Sequence, residues 1–294
     1  MNKRKRLSAH ASLFGASELV RPSRCSVIVA HPYDEVIGAG GLISRLRDVT
    51  ILHVTEGAPA EQETQTAGSA AGANHSKARK EGCASALALA NVRPDQIEEF
   101  GVTDIWTPRL LADLAKRIAV FLQRSETEIV LTHPYDGGHP DHDATAFATH
   151  AAVRLVKHIG FKPPALFEIA LHPSRDGKKR VLDFLPGSWR ETTTLVLNEE
   201  ARNLKRRMFD CFTTQQEGLR GTPLGREKFR TPPAYDFSVA PNSGKPAYEN
   251  FHTGMTGPQW QTLARKALAE LFPKEFSRHQ RNSESVTGGS SDPR

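Results

Sequence analysis

The most constraining feature of the chain is an alternation of two patterns. Short apolar runs rich in Val, Ile and Leu alternate with segments of helical spacing across residues 25–271. Residues 25–30, 49–54 and 128–132 read as strands covered on both faces, because such strands are apolar without a strict polar alternation. Residues 97–100, 165–171 and 193–197 read as further strands. Helical spacing covers 42–47, 75–91, 108–124, a stretch after Asp143, 199–211 and 259–271. Strand–helix alternation implies an α/β fold with a mostly parallel sheet and helices on both faces. In such sheets ligands bind beyond the carboxyl ends of the strands, where the strand order reverses.

The segments outside this pattern bound the domain. Residues 1–23 carry the run Lys3-Arg4-Lys5-Arg6 and read as a flexible basic arm, 24–273 as one domain, and 274–294 as a disordered polar tail. The arm holds much of the formal charge of +6, so the domain itself is closer to neutral. Basic residues are not interleaved with aromatics, which speaks against a nucleic-acid partner. The three cysteines, Cys25, Cys83 and Cys211, are scattered and form no disulfide framework. No apolar run approaches the roughly 20 residues of a membrane span, and residues 7–20 make a poor signal peptide. The expected location is the cytoplasm. Residues 38–41 read as a small-residue turn whose glycines permit close helix–sheet packing or, less favoured, cradle a phosphate, 64–74 as a functional or mobile loop and 218–244 as a long surface segment near the pocket mouth.

Two motifs lie just beyond strand ends. Ala30-His31-Pro32-Tyr33-Asp34-Glu35 follows the first strand, and His139-Pro140-Asp141-His142 lies in the loop after 128–132. A single His-Pro-x-Asp after a strand can simply cap the next helix. Two such motifs in one α/β sheet supply imidazoles and a carboxylate suited to a divalent metal with an open position, either zinc or Fe(II). An Fe(II) oxygenase fits the ligand types, but the α/β alternation argues against it.

These residues resemble the LmbE/PIG-L family of zinc-dependent N-acetylglucosaminyl deacetylases. The family's first motif reads Ala-His-Pro-Asp-Asp-Glu followed by Gly-Gly, close to residues 30–35 and Gly40-Gly41, and its second reads His-Pro-Asp-His, as at 139–142. Arg79 near Glu81, and Lys205 before Thr214-Gln215, are weaker matches. The resemblance spans about residues 25–215 and implies a Rossmann-like fold, with Zn²⁺ held by His31, Asp34 and His142. It also implies that His139 stabilises the oxyanion and protonates the leaving amine, oriented by Asp141. Asp141 can also be read as the N-cap of the helix that follows.

One position departs from the family. Tyr33 stands where the family has its general base. A phenol with a pKa near 10 is a poor base at neutral pH, and losing a general base costs about 10²–10⁴ in rate. Asp136, Asp141 or Glu35 can replace it. Alternatively Tyr33 acts with a depressed pKa, or the chain is an impaired relative that binds metal and sugar ligands. The expected reaction is removal of an N-acyl group from a small amino-sugar-like substrate. Arg79 is a candidate substrate contact or a surface ion pair, and Lys205 a substrate contact or a cover for a helix face. Tyr135 and His133 are candidates for pocket lining. His53, His75, His150, His158 and His172 have no evident partner in the sequence.

Overall fold

The computed structural model describes residues 9–10, 13–14, 24–57, 70–173, 180–185, 192–241, 244–250 and 254–275. Its centre is a seven-stranded sheet. The strands are β1 Cys25–Val29, β2 Val49–Thr55, β3 Ile97–Val102, β4 Ile129–Thr132, β5 Ala165–Ile169, β8 Thr192–Val196 and β9 Arg226–Arg230. They lie in the order β3-β2-β1-β4-β5-β9-β8. A separate two-stranded ribbon pairs β6 His172–Pro173 with β7 Arg180–Val181. β1 to β5 are parallel, and β9 and β8 add an antiparallel edge. The strand order reverses between β1 and β4, so the crevice for a ligand lies where these two strands end.

The helices are α1 Asp34–Ile43, α2 Ala70–Leu89, α3 Leu111–Arg124, α4 Pro140–His158, α5 Glu199–Asp210, the short α6 Gln216–Leu219 and α7 Gly257–Leu271. Two hydrophobic clusters cover the two sheet faces. One holds α1, α2 and α5 through Ile37, Leu87 and Met208. The other holds α3, α4 and α7 through Leu114, Phe147 and Trp260. No helix among the described residues is long and apolar enough to cross a membrane.

Four expectations are corrected. First, residues 38–41 are not a turn but the middle of α1, fully buried. Glycine disfavours a helix by about 1 kcal/mol relative to alanine, yet here its lack of a Cβ is required by packing. A Cβ at Gly38 would collide with Ile169, and one at Gly41 would stand 2.6 Å from Leu197 Cδ2. Gly41→Ala should therefore destabilise the chain by about 1–3 kcal/mol of overpacking, reduced by the propensity gain. Urea unfolding measures it, and an unchanged midpoint would contradict the packing.

Second, the segment 218–244 contains β9, whose sequence Arg-Glu-Lys-Phe-Arg reads as surface. Two of its charges are instead buried in pairs, Glu227 with Lys205 and Arg230 with Glu168. Third, residues 70–74 of the expected loop are the first turns of α2, and 64–69 lie outside the described residues. Fourth, the described part of the amino-terminal arm is docked. Ala9 and Leu13 are buried, and the Phe14 ring lies 5.1 Å from Phe229. The basic run at 3–6 and the tail beyond 275 lie outside the described residues.

Candidate metal centre

The turn after β1 and the start of α4 build the site together. The His31 backbone N–H donates to Asp34 Oδ2 at 3.0 Å, closing the turn that leads into α1. At the other motif His139 is the N-cap of α4. Its Nδ1 accepts from the Asp141 N–H at 3.2 Å, and Pro140 occupies the first turn. Asp141 is therefore not the cap expected from the sequence.

His31, Asp34 and His142 come together across the crevice. His31 Nδ1 lies 3.3 Å from His142 Nε2, and Asp34 Oδ2 lies 3.2 Å from each of them. Tetrahedral coordination with bonds of about 2.0–2.1 Å separates its ligand atoms by about 3.3–3.4 Å. The near-equilateral triangle thus fits one divalent ion. His31, His139 and His142 also form a compatible cluster, as do Asp34, His133 and His142.

The surrounding groups fix these rings. Asp141 Oδ2 lies 3.4 Å from His31 Nε2 and 3.9 Å from His139 Nδ1. Its carboxylate also accepts from the Ile105 N–H at 2.7 Å and from the Thr107 hydroxyl. The Asp141 carboxylate thus faces His31, in the carboxylate–histidine arrangement that fixes metal-binding rings, while its backbone N–H holds His139. His133 stacks on His142 with centroids 4.0 Å apart, and its Nε2 accepts from the Ala30 N–H. Asp104, after β3, lies 3.7 Å from His31 Nε2 and accepts from the Gly57 N–H.

The electrostatics suit a cation. Burial alone would lower the His31 pKa, but Asp104, Asp141 and Asp34 hold it well above the ordinary histidine value. Burial, reinforced by the neighbouring His133, pushes His142 down to about 3. Burial and the His31 charge hold His139 well below its ordinary value. Asp34 is kept well below the usual carboxylate range, against its own burial, by His142, His133 and His31. Asp104 is raised to about 6 by burial, with the adjacent Asp141 charge adding to the rise. Three carboxylates thus share one imidazolium, a proton that a divalent ion would replace.

The other expected site residues fall differently. Arg79 is not a surface ion pair. It is buried, donates to the Pro32 and Gly57 carbonyls, and lies 3.8 Å from Asp104. Its guanidinium sits 4.1 Å over the Tyr33 ring. Tyr33 itself has φ 117°, a strained conformation for a residue with a bulky side chain. Tyr135 donates its hydroxyl to Val239 O at 2.7 Å and stacks on Trp260. It also lines a cavity of about 290 Å³ with Asp136, Tyr235 and Arg230. Lys205 is not a substrate contact: it is fully buried, 2.6 Å from Glu227 Oε1. A larger cavity, about 710 Å³ between α4 and α7, is lined by no residue of the metal triangle.

Sequence reasoning missed Asp104, a lone Asp without a motif; its one signal is its position just past a strand. It also left His53 without a partner, whereas His53 Nε2 lies 3.2 Å from Glu35 Oε2.

Residues 26–153 match the profile of the family described as PIG-L, GlcNAc-PI de-N-acetylase. That stretch, under half of the chain, is similar to this family. The matched region runs from β1 into α4 and so contains His31, Asp34 and His142. Among solved structures the chain is similar to a deacetylase of the teicoplanin pathway, with TM-score 0.56, 16% identity, and coverage of 71% of this chain and 97% of that one. It is similar to Dbv21, the pseudoaglycone deacetylase of an antimicrobial reagent, with TM-score 0.54, 19% identity, and coverage of 72% and 97%. It is also similar to the conserved protein TT1542 from Thermus thermophilus, with TM-score 0.52, 18% identity, and coverage of 73% and 97%. These likenesses establish the LmbE-like fold, a mostly parallel sheet with helices on both faces. The comparison with curated proteins finds no match.

Proposed function

We propose that this chain is a metal-dependent hydrolase that removes an N-acyl group, in the first instance acetyl, from an amino sugar or a related small conjugate. The observation that carries the reading is the triangle of His31 Nδ1, Asp34 Oδ2 and His142 Nε2, with edges of 3.2–3.3 Å, inside the stretch similar to the PIG-L family. Zinc held there would polarise the acyl carbonyl and activate a water for attack.

The remaining roles fall to the chain's own groups. The His139 side chain is 28% exposed, while those of His31 and His142 are under 10%. It is the ring of the cluster best placed to meet a substrate. Because its Nδ1 accepts from the Asp141 N–H, Nε2 carries the proton in the neutral ring. That N–H is suited to hydrogen-bond the oxygen on which charge develops. Amide hydrolysis also moves a proton from water to the departing nitrogen. Glu35 and Asp141 are committed to buried partners. Asp104 is likewise held by the Gly57 N–H and lies beside Arg79, so His139 is the group we assign to pass that proton to the departing nitrogen.

Tyr33 keeps a second reading in play. Its ring lies under Arg79 and against Phe212, so it forms a wall rather than a base. A relative that lost its base would bind metal and sugar while turning over slowly. Amine release from N-acetylglucosamine conjugates, followed with the zinc-supplied full chain, separates the readings. The expected result is measurable release by the wild type and a gain of up to about 10²-fold in Tyr33→Asp. Release by Tyr33→Asp alone would replace the hydrolase with the impaired binder, and no release by either chain would overturn the proposal.

A further inference from the structure

We propose that Glu35, His53 and Cys83 form a second metal site, a thiolate site for zinc or a cation of similar softness. It does not depend on the hydrolase reading. The three residues come from separate elements, α1, β2 and α2, and none is more than 2% exposed. Glu35 Oε2 lies 3.2 Å from His53 Nε2. Cys83 Sγ lies 3.0 Å from Glu35 Oε1 and 3.8 Å from His53 Nε2. Zinc bonds of about 2.0–2.1 Å to nitrogen and oxygen and about 2.3 Å to sulfur set tetrahedral ligand atoms about 3.3–3.6 Å apart. The cluster therefore needs adjustments of roughly half an ångström to hold such an ion.

The donor types point the same way. A thiolate, an imidazole and a carboxylate together select a borderline-soft cation, whereas the triangle above offers only nitrogen and oxygen. The charge balance favours a cation too. Among the described residues Glu35 is bonded to no Lys or Arg; its carboxylate accepts from the Tyr33 N–H and contacts His53 and Cys83. A buried carboxylate is costly without a compensating partner. On binding, the Cys83 proton leaves to solvent and the thiolate becomes the ligand. The His53 proton moves from Nε2 to the buried Nδ1, which has no hydrogen-bond partner among the described residues. A bound ion would tie α2 and β2 to the first turn of α1. That turn carries Asp34, next in sequence to Glu35, so the site would brace the catalytic triangle without joining it.

Cobalt distinguishes the two sites, because a thiolate ligand adds a strong near-ultraviolet charge-transfer band that nitrogen and oxygen ligands do not. The full chain, stripped by chelator and titrated with Co²⁺, should take up two ions per chain and develop that band. Cys83→Ser should lose the band and one of the two ions. His142→Ala should keep the band and lose the other ion, so failure at either site is read separately. Cys25→Ser and Cys211→Ser should leave the band unchanged. Absence of the band from the wild type would overturn the proposal and leave a metal-free hydrogen-bonded knot, a result that needs no variant to fold. Persistence of the band in Cys83→Ser would overturn it as well.

Discussion

His142→Ala is expected to strip the catalytic ion and to lower amide hydrolysis by roughly 10³-fold or more, since a Lewis acid supplies several kcal/mol of transition-state stabilisation. The imidazole contributes one corner of a three-atom triangle, and the remaining His31 and Asp34 cannot close a tetrahedral site alone. Asp141→Asn provides a graded comparison. Its carboxylate touches no corner of the triangle but holds His31 through Nε2. Losing such a partner typically weakens metal affinity by about 10–100-fold. Asp141→Asn should therefore recover activity as zinc is raised, whereas His142→Ala should not. Metal content after dialysis and rates across a zinc titration measure both effects. Undiminished metal at the triangle in His142→Ala would refute the ligand assignment.

The sequence exposes this centre because the chemistry is concentrated in two short motifs at the ends of the two strands that flank the reversal in strand order. β1 and β4 are buried on both faces, so their apolar runs are unmistakable, and the motifs follow directly. Other parts are hidden where tertiary packing overrides local preference. Gly38, Gly40 and Gly41 look like a turn by propensity, yet they lie in a helix, and Ile169 and Leu197 leave no room for a Cβ at Gly38 and Gly41. β9 looks like surface because Phe229 is its one uncharged residue, and only the fold reveals Lys205 and Glu168 opposite Glu227 and Arg230. Asp104 and Cys83 carry no motif. Their significance comes from neighbours far away in the chain, and a one-dimensional pattern holds no record of such convergence.

Lys205→Ala provides the second large effect, and it is expected in stability rather than in turnover. Lys205 Nζ is the cation against a Glu227 carboxylate that also accepts from the Gly41 and Leu42 N–H groups at 2.7 and 2.9 Å. Removing one partner of a buried pair leaves an uncompensated charge and costs about 3–5 kcal/mol. For a domain of this size that corresponds to a fall in Tm of roughly 6–20 °C. A neutral glutamine at 227 in the same chain would relieve the stranded charge while still accepting a backbone N–H, so Lys205→Ala with Glu227→Gln should recover much of the loss. Because the pair is sealed between α1, α5 and β9, KM measured well below the melting temperature should stay near the wild-type value. A variant that melts normally but binds substrate poorly would return Lys205 to the pocket, and that outcome is incompatible with a fully buried ammonium group bonded to Glu227.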